Sequence, residues 1–136
     1  MNIVDLVVAG LILAILVVVS SSSLGYIKTR LVDSENYYEA NKFSMATLEK
    51  LQPLSYTDPV DTALAIGTHN EDLPTECKLA TNHSGKRSYE VTEKHWDSPG
   101  TTYGYKEINV TTSWKYEGND KSVTLGSLKR DDTPVP

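Results

Sequence analysis

Residues 6–27 carry no charged side chain, and residues 6–19 are apolar without exception. As an α-helix rising 1.5 Å per residue, residues 6–27 span about 33 Å, close to the roughly 30 Å hydrocarbon core of a bilayer. A soluble core helix of this kind needs apolar partners on all sides. The 136-residue chain leaves only about 110 residues for a separate head, too few to bury such a helix. A cleaved secretory signal fits poorly as well. Residues 1–6 contain no Lys or Arg, the apolar run is long, and the pattern continues past Ser20 into a second helical stretch without a small-residue cleavage site. The reading is a single-pass transmembrane helix over residues 1–27.

Two features mark this segment. Asp5 is a carboxylate at the edge of the apolar run. It fits lipid headgroups, or an ion pair with the α-amino group of Met1, its own or a neighbouring chain's, inside an assembled helix bundle. An unpaired charge is costly there, so Asp5 would favour registers that bring an amine to it. The second feature is Ser20, Ser21, Ser22, Ser23 and Gly25. Serine competes for backbone hydrogen bonds and glycine costs about 1 kcal/mol in a helix, so this is the expected weak point. Lys28 and Arg30 follow the span and nothing basic precedes it. The positive-inside rule then puts the C-terminal part in the cytoplasm, whereas a basic leader ahead of Met1 would favour an external head.

Beyond the span, residues 26–51 read as an amphipathic helix. Ile27, Leu31, Ser34, Tyr38, Met45 and Leu48 fall on one predicted core face. Lys28, Arg30, Asp33, Glu35, Glu39, Lys42 and Glu49 form the solvated side, and Pro53 ends the helix. Residues 52–74 hold three prolines and read as a linker with one short strand at residues 64–67. Cys77 is the one cysteine, which excludes an intrachain disulfide. Residues 76–79 alternate as a strand would, with Cys77 as a small buried apolar side chain. Tyr89, Val91 and Glu93 alternate likewise. The clearest hairpin joins residues 108–116 to 122–125 through residues 117–120, with Ile108, Val110, Trp114 and Tyr116 on one face meeting Val123 and Leu125. The expected fold class is α+β: a long N-terminal helix packed on a small antiparallel sheet. The expected segments are 1–27 (membrane or filament core), 28–52 (amphipathic helix), 53–130 (β-rich head) and 131–136 (tail).

Catalytic and cofactor signatures are not found. A lone Cys77 makes no haem attachment motif, and no phosphate loop or dinucleotide fingerprint occurs. His95-Trp96-Asp97 alternates across a strand, which suits a strand end with a half-buried Trp96 better than a nucleophile relay. His69 to Asp72, and Glu117, Asn119 and Asp120, do not match a calcium loop and read as turns or solvated residues. Asn82 and Asn109 each open a glycosylation-type tripeptide, a pattern frequent by chance. The net charge of −5 argues against a nucleic-acid binder, and the basic pairs Lys86-Arg87 and Lys129-Arg130 read as solvated surface. The eight tyrosines are better explained as strand and interface residues than as an electron path. No enzyme activity, cofactor or metal is expected.

The order of apolar span, amphipathic helix, loop and antiparallel sheet resembles type IV pilins and the pseudopilins of type II secretion. Met1, Asp5 and residues 6–19 match the family's N-terminal Phe or Met, its acidic fifth residue and its long apolar helix. Residues 43–51 are similar to the end of that helix in some minor pilins and pseudopilins, and residues 110–114 to the late strand before a hairpin. Asp5 stands where the family usually has Glu, and Ser22 near its usual proline. The two-cysteine loop of many members is missing. The resemblance implies N-methylation of Met1. It also implies polymerisation with identical subunits through the apolar helix, residence in a bacterial inner membrane before assembly, and handling by pilus or type II secretion machinery. The implied roles are fimbrial adhesion or protein secretion. A different class of function also fits the residues: a single-pass membrane-anchored binding protein that does not polymerise. A membrane-anchored enzyme is a weaker third.

Overall fold

The computed structural model describes residues 2–56, 62–99 and 101–131. The first element, α1, runs Ile3–Leu51. The chain divides into two compact units, Met1–Glu35 and Asn36–Pro136. In the first, every residue from Asn2 to Lys28 is exposed. The second joins the last four turns of α1 to a four-stranded antiparallel sheet in the order β1-β2-β3-β4, with β1 Gly67–Glu71, β2 Lys86–Ser98, β3 Thr101–Tyr116 and β4 Asn119–Arg130. A short helix, α2 (Lys78–Asn82), lies between β1 and β2. The fold class is therefore α+β, a long apolar N-terminal helix whose later part packs on a small antiparallel sheet.

Alternation along the strands sets the inner face. Tyr89 pairs with Val110 and Val91 with Ile108, and all four are buried. On the other side of β3, Leu125 faces Val110 and Val123 faces Thr112, as the hairpin pattern predicts. The β3–β4 turn is tighter than the expected loop over residues 117–120. Glu117 (φ 51°) and Gly118 (φ 78°) alone make it, and Asn119 and Asp120 already pair as strand. Positive φ at both turn residues is the geometry whose twist matches the flanking strands.

The helix buries a different face from the one the spacing of large apolar residues predicts. Ile27, Leu31, Tyr38 and Met45 are exposed and Ser34 faces solvent; only Leu48 of that set is buried. The buried face is Asn36, Ala40, Phe43, Ser44, Thr47, Leu48 and Leu51. Its small members let the helix approach the large inward side chains of the sheet, above all Trp114 at 2% exposure. Size at the interface is supplied by the strands, so helix bulk is a misleading guide to the core. Glu39 also leaves the expected solvated side: its carboxylate accepts the Lys78 backbone N–H at 2.9 Å.

Several other expectations change. The strand expected at residues 64–67 starts at Gly67, after a single turn at Thr62–Leu64. Its sequence, Gly-Thr-His-Asn-Glu, is polar because β1 is an edge strand fixed by pairing with β2 rather than by burial. His69 and Glu71 are thus strand residues, not turn residues. The His69 ring stacks on its cross-strand partner Tyr89 at 4.7 Å. Cys77 is buried as expected, but residues 76–79 are not a strand: Cys77 stands at the N-terminus of α2. Arg87 is not solvated surface. It donates to the Phe43 carbonyl at 3.1 Å and pairs with Glu71, which also pairs with Lys50, tying the helix end to the sheet edge. Lys129 likewise reaches back to the Gln52 carbonyl. Of the expected tail, Asp131 is described and residues 132–136 lie outside the described residues.

Candidate functional site

Leu6 to Ile27 places its side chains in the open, with Leu6, Leu11, Leu16 and Leu24 each more than half exposed. This is a helix long and apolar enough to cross a membrane, with none of its apolar window buried inside the protein. At 1.5 Å per residue the 49-residue α1 is about 73 Å long, far more than one bilayer requires. An apolar surface of this size needs lipid or protein around it.

Asp5 sits in the first turn of α1. The Asn2 backbone N–H donates to its Oδ2 at 3.3 Å, and the Asn2 carbonyl accepts the Asp5 and Leu6 N–H groups. Asp5 therefore caps its own helix, an acid reaching back over three residues at the positive end of the helix dipole. Sequence reasoning missed this role, although an acid three residues after Asn is the signal for it. Met1, the expected amine partner and methylation site, lies outside the described residues.

Ser20, Ser21, Ser22 and Ser23 are helical. Each hydroxyl donates to the carbonyl four residues earlier, those of Leu16, Val17, Val18 and Val19, at 2.7 to 2.9 Å. Thr29 does the same to the Gly25 carbonyl at 3.2 Å. Four hydroxyls that satisfy themselves on their own helix can enter an apolar medium without stranded donors. The same bonds draw on carbonyls already used by the helix ladder, which slightly destabilises and bends helices.

No group of three His, Cys, Asp or Glu able to hold a metal occurs among the described residues. Burial pushes the Cys77 thiol up, which disfavours the nucleophilic thiolate. His95-Trp96-Asp97 does lie near the end of β2, but Trp96 is 64% exposed rather than half-buried. It packs beside Tyr103, its cross-strand partner, with ring centres 6.0 Å apart on the sheet face turned away from α1. Leu128, 65% exposed, stands on the same face. No sequence pattern marked this patch, because its members come from three strands. Comparison with protein-family models, with curated proteins and with solved structures gives no match to this chain.

Proposed function

We propose that this chain is a structural subunit of a filament of the type IV pilus or pseudopilus kind, polymerising through its apolar N-terminal helix. The observation that carries the reading is the uncovered apolar stretch of α1, which begins with Asp5 and continues as the helix that packs on the head's sheet. Lipid and the core of a helical bundle are two environments of similar polarity for such a surface. An assembly machine that withdraws the helix from a bacterial inner membrane exchanges one for the other. Identical contacts repeated head to tail without closing give a filament, outside the cell as a pilus or in the periplasm as a pseudopilus. Met1, N-methylated by resemblance, and Asp5 would form the polar contact within that core. The serine stretch supports the same reading: its helix ladder is the cheapest to open when subunits pack, while its self-satisfied hydroxyls suit the membrane-bound state. A membrane-anchored binding protein that does not polymerise is the second reading, favoured by the exposed Trp96 and Leu128.

The test is electron microscopy and protein analysis of filaments sheared from cells, with the mature N-terminus measured by mass spectrometry. Fibres that contain this chain, starting at a methylated Met1, are the expected result. A chain found only in the membrane fraction would overturn the reading.

A further inference from the structure

The outward face of the sheet is divided. Over most of its area it shows polar and charged side chains, with Thr111 and Thr124 hydrogen-bonded across β3 and β4 at 2.9 Å and Asn109 beside them. At the end where β2 meets β3 the character changes. Trp96 faces Tyr103 across the β2–β3 pair, and Tyr105 faces Arg130 across the β3–β4 pair. With Leu128 these side chains line an open concavity of about 390 Å³. A Trp and a Leu nearly two-thirds exposed within one concavity are unusual for a surface with no partner.

The charge in this concavity narrows the choice of partner. The Arg130 guanidinium lies 4.9 Å from the centre of the Tyr103 ring. Among the described residues it enters no ion pair, whereas its neighbours on this face, Lys94 and Glu107, neutralise one another. The patch therefore offers flat aromatic surface, one planar cation outside any ion pair among the described residues, and the phenol hydroxyls of Tyr103 and Tyr105 in its lining. A nucleic acid asks for several unpaired cations, and the net charge of −5 opposes it. A lipid surface gains nothing from the adjoining polar half of the face. A sugar ring with a carboxylate meets all three features. Its C–H face stacks on an aromatic ring, its carboxylate takes two parallel hydrogen bonds from a guanidinium, and its hydroxyls need neutral polar partners.

We propose that this concavity is a binding site for an acidic saccharide of the uronic-acid type, with Trp96 as the stacking ring and Arg130, held over Tyr103, as the carboxylate clamp. The site belongs to the head alone and does not depend on filament formation.

The probe is a mannuronic acid tetrasaccharide. It is titrated by calorimetry and tryptophan fluorescence against the full chain in nanodiscs of neutral lipid, beside cellotetraose and tetraglutamate. The expected result is saturable binding of the acidic sugar, weakened about tenfold or more by Arg130→Gln and abolished by Trp96→Ala, both variants keeping the wild-type melting temperature. Arg130→Lys keeps the charge but loses the planar fork, and should not restore binding. Absence of binding would overturn the proposal. So would equal affinity for cellotetraose, which removes the carboxylate's role, or for tetraglutamate, which makes the patch a general anion site. A Trp96 signal that changes with protein concentration alone would assign the patch to a second copy of the chain instead.

Discussion

The hydroxyls of Ser44 and Thr112 lie 2.8 Å apart, both wholly buried, and form a hydrogen bond between α1 and the middle of β3. They are 68 residues apart in the chain. Each satisfies the other in a place that water does not reach. Removing one partner leaves the other's polar group buried and unmet, so Ser44→Ala and Thr112→Val should each cost about 1–3 kcal/mol. The double variant removes both groups together and should cost clearly less than the sum of the two. Urea unfolding of the detergent-solubilised chain, followed by near-ultraviolet circular dichroism, measures the difference. Strict additivity would mean that the two hydroxyls do not act as a pair.

Trp114 is the largest fully buried side chain, and its ring meets Tyr37 of α1 edge-on at 5.1 Å. Trp114→Ala should cost about 3–5 kcal/mol through the cavity it opens. Its indole Nε1 has no hydrogen-bond partner among the described residues. Trp114→Phe therefore loses volume but no hydrogen bond, and should cost well under the alanine value. Unfolding midpoints of the two variants, compared at equal denaturant slope, check the ranking.

The sheet was easier to read in the sequence than the helix that covers it. Strand alternation fixed the inward side of residues 108–116, and residues 117–120 marked the place of the turn though not its two-residue length, because both signals are local. The face of α1 was misread for a non-local reason. Ala40, Ser44 and Thr47 are buried because Trp114 and the β-branched residues of the strands need room, a fact carried by β3 and not by the helix. Exposed Tyr38 and Met45 show the converse. Lys106 is a second case. Alternation puts it on the inner face, yet a buried lysine is tolerable only because its ammonium reaches the carbonyls of Tyr56 at 2.7 Å and Leu64 at 2.9 Å. The Trp96 patch was illegible because Trp96, Tyr103 and Leu128 meet only once the register of three strands is known.

Tyr56 supplies a pH prediction. Its hydroxyl donates to Glu93 Oε1 at 3.0 Å. Burial, then the hydrogen bond to Glu93 and that carboxylate's charge, push its phenol from the ordinary 10.0 up to about 12. The folded chain then holds this proton more tightly than the unfolded chain does. The stabilisation is fully present below pH 10 and is lost as pH rises toward 12, since the folded state binds more protons in that window. Titration of tyrosinate absorbance should show one late-ionising phenol that disappears in Tyr56→Phe. Glu93→Gln removes the nearby charge and should bring that ionisation to lower pH. A late phenol that persists in Tyr56→Phe would assign the behaviour to another tyrosine.

Asp5 has two jobs that can be separated. In the chain itself its carboxylate accepts the Asn2 N–H and caps the helix. In a filament it would also pair with a Met1 amine in an apolar core. Asp5→Ala removes both, and an amine left unpaired in such a core costs about 3–5 kcal/mol. Asp5→Asn keeps an oxygen that can accept from Asn2 but removes the charge, so it isolates the pairing role. Asp5→Glu keeps the charge and should be tolerated. Asp5→Ala and Asp5→Asn remove an acid from the span, which eases membrane insertion, and Asp5→Glu leaves the charge as it was, so all three variants should reach the membrane normally. The measurement is the amount of subunit in membranes against the amount in sheared filaments. Asp5→Ala and Asp5→Asn should both lose filaments while keeping the membrane form. Normal filament yield for Asp5→Asn, with a defect only in Asp5→Ala, would reduce Asp5 to a helix cap and remove charge pairing from the account of assembly.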